Sequence, residues 1–220
     1  TLIRRANPLP AGPVPPIIPI RIREALHKPH SGTTVIGMGI LDGKNIVVTG
    51  VLTDASLAYG VAKLAIEQGA QVMLTGAGRG LSITERTARK LSADIKVVEF
   101  DVTVDEHIVS AREAAKSQFG RVDGVLHAIG FAPAVCLGDD FMAAQWSDVS
   151  VAMQVSAYSL KTLADAFVPL MTSGGTIVGL DFDNTVAWPA YNWMGVAKAA
   201  LESTNRYLAK ELGSKQIRCN

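Results

Sequence analysis

Tyr191 and Lys198 stand seven residues apart in the run Tyr191-Asn192-Trp193-Met194-Gly195-Val196-Ala197-Lys198. Seven residues are close to two turns of an α-helix, so the spacing predicts a phenol and an ammonium on one helical face. Such a pair can steady a developing oxyanion, the phenol by donating a hydrogen bond and the ammonium by keeping the local field positive. Just upstream, Gly174-Gly175 marks a turn, and Thr176-Ile177-Val178-Gly179-Leu180 reads as a buried strand because it is apolar and partly β-branched. The pair therefore falls past the carboxyl end of a strand, where open α/β sheets hold their ligands. Phe182 lies nine residues before Tyr191.

The elements that position this pair follow a regular alternation. Strands are expected at 44–49, 71–75, 95–102 and 122–129, and the final strand begins at 216–220. Helices are expected from Ser56 to Gln68, from near Val104, from Trp146 to Met171 and from Tyr191 to Leu212. The alternation predicts a single α/β domain built on a doubly wound (Rossmann-type), mainly parallel sheet with helices on both faces. Gly50 ends the first strand, and the turn to the first helix can offer backbone N–H groups to a pyrophosphate. It lacks GxGxxG, so by itself Ser56 reads first as the N-cap of an ordinary crossover helix. At the end of the third strand, Asp101 can accept from an exocyclic amine or cap the next helix. His127, inside an apolar strand, is read as a hydrogen-bonded core residue rather than a general acid. Val149, Met153, Ala157, Leu160, Ala164 and Phe167 form an apolar helical stripe, read as core and subunit interface rather than as a lipid groove.

Tyr191-x6-Lys198 with Phe182 before it resembles the signature of the NADH-dependent enoyl-acyl carrier protein reductases. These are a divergent branch of the short-chain dehydrogenase/reductases, whose ordinary members have Tyr-x3-Lys. Gly179-Leu180-Asp181-Phe182 and Pro189-Ala190-Tyr191-Asn192-Trp193-Met194 are most similar to the mycobacterial type, and the resemblance spans Leu41 to Asn220. Gly50-x5-Ser56-x-Ala58 matches the family's phosphate turn, with Ser56 offering hydroxyl and amide. His127-Ala128-Ile129-Gly130-Phe131 resembles its His-Ser-Ile-Gly-Phe.

The resemblance implies cofactor contacts from Gly50, Ser56, Leu57, Asp101, Val102, Ala128, Ile129, Gly130, Asp181 and Lys198. Asp101 and Val102 would meet adenine, and 128–130 would pass beneath the nicotinamide ribose. It also implies catalysis by Tyr191, which contacts the thioester oxygen, Lys198, which holds the ribose, and Phe182, which orients the substrate. The implied cofactor is NADH. At the end of the second strand, however, Gly76-Ala77-Gly78-Arg79-Gly80 carries no acid to read a 2′-hydroxyl, and that leaves NADPH open. Ala77 stands where the mycobacterial type has an aromatic residue stacked on adenine, and Arg79 faces either a 2′-phosphate or, as a loop charge, solvent. The implied substrate is an enoyl thioester on acyl carrier protein, the implied assembly a homotetramer and the implied pathway fatty-acid or mycolic-acid elongation.

Family members continue with a Pro-Gly segment that clasps the nicotinamide, a mobile helix and a final strand, so 41–220 is expected to be a reductase domain truncated before its lid. Two rivals stand beside this reading. One is a carbonyl reductase, against which Tyr-x6-Lys and Phe182 in place of a serine both count. The other is an inactive dinucleotide-binding module.

Composition sets the remaining bounds. A chain of 220 residues with 48% hydrophobic content can bury a sizeable core. Residues 1–40 hold five basic residues against Glu24, a charge of +4, which leaves −3 for the rest and no nucleic-acid footprint. Six prolines between Pro8 and Pro19 argue for an irregular, proline-rich extension outside the fold. Cys136 and Cys219 form no CxxC pair, and no apolar run is long enough for a membrane span. A cytoplasmic enzyme without a metal is expected.

Overall fold

The computed structural model describes residues 39–220, so the proline-rich stretch read as an extension lies outside the described residues. Six short strands form one sheet: β1 (Asn45–Val48), β2 (Gln71–Gly76), β3 (Lys96–Glu99), β4 (Gly124–His127), β5 (Gly175–Gly179) and β6 (Ile217–Cys219). Their order is β3-β2-β1-β4-β5-β6 and every pairing is parallel. The expected doubly wound α/β sheet is therefore present. The helices are α1 (Leu57–Glu67), α2 (Arg79–Ala88), α3 (Asp105–Phe119), α4 (Trp146–Met153), α5 (Ser159–Phe167) and α6 (Asn192–Leu212). None among the described residues is long and apolar enough to cross a membrane.

The two-residue period of a strand explains the layers. In each of three central strands, neighbouring residues enter different cores: Val47 and Val48, Met73 and Leu74, Val125 and Leu126. The first of each pair packs with Phe100, Leu160, Phe167 and Leu201 on the face covered by α3, α5 and α6. The second packs with Ala58, Ala62 and Ala65 of α1. A strand buried on both sides must be apolar at successive positions, which is why these read as continuous Val and Leu runs.

Four expectations need correction. The stretch 146–171 is not one α-helix: α4 passes into a π turn over Gln154–Tyr158, α5 follows, and Val168–Leu170 is a 3-10 turn. The stripe is nevertheless core, with Val149, Ala157, Leu160, Ala164 and Phe167 buried. Arg79 is not in a loop but opens α2, whose start is hidden in sequence by Gly76, Gly78 and Gly80. The third and fourth strands are shorter than expected, so Asp101, Val102, Ala128 and Ile129 lie beyond strand ends. Finally, α6 begins at Asn192, not Tyr191.

Candidate active site

The strand ends converge on a cleft of about 560 Å³ that is lined by Gly50, Gly76, Ala77, Asp101, Ala128 and Gly130, among others. Thr49 builds its floor. Fully buried, it donates its hydroxyl to the Leu126 carbonyl at 2.9 Å and accepts from the Ala128 N–H at 2.9 Å, clamping the ends of β1 and β4 together. The clamp brings Gly50 so close that a Cβ would lie 2.0 Å from the Ala128 carbonyl oxygen, and its φ is 77°. Only glycine fits there.

The turn after Gly50 is held from both sides. Thr84 and Thr87 of α2 donate to the Val51 and Leu52 carbonyls at 2.7 and 2.8 Å. The Ser56 hydroxyl oxygen accepts from the Leu52 and Thr53 N–H groups at 3.2 and 3.0 Å. The Ser56 side chain thus caps backwards onto its own turn, and its amide donates to the Thr53 carbonyl at 3.0 Å. Contrary to expectation the amide is committed, and only the hydroxyl proton remains to offer a ligand. Leu57, the first residue of α1, is 77% exposed, and the first amides of a helix have no acceptor within it.

At the other end of the cleft, Asp101 Oδ1 accepts from the Thr103 N–H at 2.9 Å and hydroxyl at 2.6 Å. The N-cap of α3 is Val104, so Asp101 organises the turn rather than capping the helix, and its Oδ2 is left for a donor in the cleft. Val102 is buried beside it.

The inner wall depends on the π turn. Ser156, fully buried within it, accepts from the Phe131 N–H and donates to the Phe131 carbonyl, both at 2.8 Å. Both polar groups of the chain following Gly130 are thereby fixed by one hydroxyl. Sequence reasoning missed Ser156; a serine among Val155, Ala157 and Leu160 on a buried stripe was the signal.

His127 is buried as expected. Ser159 gives its proton to the Val155 carbonyl at 2.7 Å, so His127 Nε2 must be the donor in the 2.7 Å contact with Ser159. Nδ1 then has no partner among the described residues. Burial, with the Lys198 charge adding to it, pushes the imidazole down to about 4 and keeps it neutral.

Tyr191 is the N-cap of α6, with Ala190 at φ 59° and Asn192 at φ 50° on either side. Left-handed backbone at two non-glycine residues around one side chain is strained. Asn192 interrupts the regular helical backbone between Tyr191 and Lys198, and both side chains feel the charge of Asp181. The segment is tied down by the loop before α4: the Gly138 N–H donates to the Ala190 carbonyl at 2.9 Å, and Asn192 Nδ2 donates to the Gly138 carbonyl at 3.1 Å. Trp193 stacks on Phe141 with ring centres 4.6 Å apart. Phe182 is 45% exposed and not core; its ring lies 4.7 Å from the Tyr191 ring and 5.6 Å from the Trp188 ring.

Lys198 donates to the Leu180 carbonyl at 2.8 Å, beside Asp181. Burial lowers the ammonium's pKa against the pull of Asp181, while burial and then Asp181 raise that of the Tyr191 phenol. The phenol therefore stays protonated and able to donate. Tyr191 opens onto a second cleft of about 630 Å³, shared with Gly138, Phe141, Trp188, Asn192 and Val196. Tyr191, Phe182, Lys198 and Asp181 thus gather at the ends of β5 and α6, whereas Gly50, Asp101, Val102 and 128–130 line the cleft between β1, β2, β3 and β4.

A parallel sheet in this order, with a glycine turn at the switch point between β1 and β4, defines a dinucleotide-binding protein of the Rossmann class. Comparison with known proteins narrows the class. The profile of the Enoyl-(Acyl carrier protein) reductase family matches residues 50–220. The enoyl-acyl-carrier-protein reductase (NADH) of Mycolicibacterium smegmatis is 46% identical over 186 residues, covering 83% of this chain and 69% of that protein. The enzyme of the same description from Mycobacterium avium is 43% identical over 185 residues, with the same coverage. The enoyl-acyl-carrier-protein reductase (NADH) FabI of Neisseria meningitidis is 39% identical over 189 residues, covering 83% and 71%. The chain belongs to the enoyl-acyl carrier protein reductase family.

Proposed function

We propose that the protein reduces the 2,3 double bond of trans-2-enoyl thioesters carried on acyl carrier protein, with NADH as the reductant. The observation that carries this reading is the placing of the Tyr191 phenol, held protonated between strained residues, against the Phe182 ring. The cleft fits a dinucleotide: it lies at the carboxyl ends of the parallel strands and is walled by Gly50, Gly76, Gly80 and Gly130, which let a ligand approach the backbone. When bound, NADH supplies the hydride for C3 of the substrate.

Negative charge then develops on the thioester oxygen as an enolate, Tyr191 donates a hydrogen bond to it, and uptake of a proton at C2 completes the saturated thioester. The bond strengthens only as charge appears, so it lowers the barrier more than it tightens substrate binding. Lys198, fixed by the Leu180 carbonyl, holds the ribose hydroxyls and keeps the field at that oxygen positive. Phe182 and Trp188 form an apolar wall that orients the acyl thioester and excludes water. Gly50, Ser56 and Leu57 hold the pyrophosphate, Asp101 and Val102 the adenine, Ala128, Ile129 and Gly130 the nicotinamide ribose, and Asp181 sets the charge balance around Lys198. The exposed Tyr158 and Tyr207 rings give a second copy of the chain a surface to bury, consistent with a homotetramer. The cytoplasm, where acyl carrier protein and NADH meet, is the proposed compartment.

The test follows NADH absorbance with a medium-chain enoyl thioester, for the native protein and Tyr191→Phe. The expected result is turnover by the native protein and a fall of about 100-fold in kcat for the variant, with NADH affinity retained. Equal turnover by both would remove Tyr191 from the mechanism. Binding of NADH without turnover by either would favour a dinucleotide-binding module.

A further inference from the structure

We infer that the buried pair of His127 and Ser159 is a positioning device, which holds Lys198 in register with the ribose floor at Ala128, Ile129 and Gly130. This rests on the reductase reading above, in which Lys198 and that floor meet the same ribose, and it gives a task to side chains that the reading leaves without one. Lys198 stands on α6 and has one hydrogen-bond partner among the described residues, the Leu180 carbonyl at 2.8 Å. Leu180 lies just past the end of β5, and the chain after it is irregular as far as Trp188. Its carbonyl is therefore only as fixed as its own N–H, which donates to the His127 carbonyl at 2.8 Å. His127 ends β4 opposite Gly179, and the ribose floor begins at the next residue. Lys198 and the floor thus both hang from the last residue of one strand.

Any residue at position 127 would supply that carbonyl. What the histidine side chain adds is a tie across the layers. Its Nε2–H donates to Ser159 Oγ at 2.7 Å, and Ser159 donates to the Val155 carbonyl at 2.7 Å. Val155 adjoins Ser156, whose hydroxyl fixes Phe131, so the tie ends in the π turn that already holds the far side of the floor. From the opposite side Thr49 accepts from the Ala128 N–H at 2.9 Å. The end of β4 is thereby held by β1 and by the π turn at once. Ser159 also selects the form of the ring. Its proton is spent on Val155, its oxygen can only accept, and the imidazole must carry its own proton on Nε2. Both side chains are fully buried, so a bond lost between them is not replaced by bulk water. A neutral ring suits the place, since an imidazolium would repel the Lys198 ammonium whose charge reaches it.

The experiment compares the whole native protein with Ser159→Ala, His127→Leu and His127→Gln, the last of which keeps an N–H for Ser159. Nitrogen NMR of the protein without cofactor reads the His127 ring, fluorescence titration reads NADH binding, and turnover of a medium-chain enoyl thioester is followed with NADH and with NADH deuterated at the transferred position. The native ring should show a single tautomer, protonated on Nε2, and Ser159→Ala a mixture. In Ser159→Ala and His127→Leu, kcat should fall by about tenfold or more with a larger isotope effect, while NADH affinity and the thioester KM change by less than about threefold. His127→Gln should restore most of the lost kcat. A pair with only a structural role would lower Tm and leave kcat and the isotope effect at native values. That result, or equal loss of kcat in His127→Gln and His127→Leu, would overturn the inference and leave the reductase reading in place. Absence of turnover by the native protein would remove both.

Discussion

Burial at His127 has a consequence that can be measured across pH. Its pKa falls from 6.5 to about 4 in the folded chain, so between these values the unfolded state binds a proton that the folded state refuses. The stabilising contribution is complete above pH 6.5 and is lost as the pH falls towards 4, amounting to roughly 3 kcal/mol at the acid end. Urea unfolding at a series of pH values should show this slope, and His127→Gln should flatten it. At the reacting end the signs differ. Tyr191 must keep its proton and Lys198 its charge; burial holds the proton on the phenol more firmly and on the ammonium less firmly than usual. The alkaline limb of kcat/KM should fall below the ordinary lysine range, and Lys198→Arg should move it upward; an unmoved limb would assign it to another group. The types and spacing of Tyr191, Lys198 and Phe182 were legible in the chain. The left-handed turn at Ala190 was not, because nothing local in an alanine announces positive φ; the hydrogen bonds from and to Gly138, distant in sequence, help to hold the segment.

At the level of elements, the turn after β1 and the π turn do most of the positioning. Gly50→Ala would place a methyl carbon 2.0 Å from a carbonyl oxygen at φ 77°. Either the clamp at Thr49 opens or the turn moves, and dinucleotide affinity should drop well over tenfold with a fall in Tm, since the backbone term alone costs about 1–2 kcal/mol. Calorimetric titration with NADH checks it. Ser156→Ala leaves the buried N–H and carbonyl of Phe131 without their partner, a cost of roughly 1–3 kcal/mol for each group left unpaired. It should raise the NADH dissociation constant, and Ser156→Thr, which keeps the hydroxyl, should restore part of it; equal loss in both would point to packing instead. The π turn was hidden because the stripe from Val149 to Phe167 advances by steps of three and four with or without one extra residue in a turn. α2 was hidden by glycines that elsewhere mark loops, whereas β1, β2 and α1 were read nearly to the residue because their apolar runs are bounded by Gly50, Gly69 and Gly76.

Across the whole molecule, one sheet divides two cores, and it was the alternation of β and α patterns that made this legible. The order β3-β2-β1-β4-β5-β6 is not written in any single residue. Phe167, fully buried, packs its ring 5.9 Å from that of Phe100 on the larger face. Phe167→Ala should cost about 3–5 kcal/mol and lower the urea midpoint without splitting the transition; a loss under about 1 kcal/mol would mean that this face repacks freely. The strained turns beside Tyr191 bear on heredity as well. Glycine at position 190 would relax the backbone for a net gain of up to about 1 kcal/mol, so a lineage rewarded only for surviving heat would drift towards it. A mutant library sorted first by heat and then by activity tests whether alanine at this codon serves turnover; two populations that do not overlap there are the expected result.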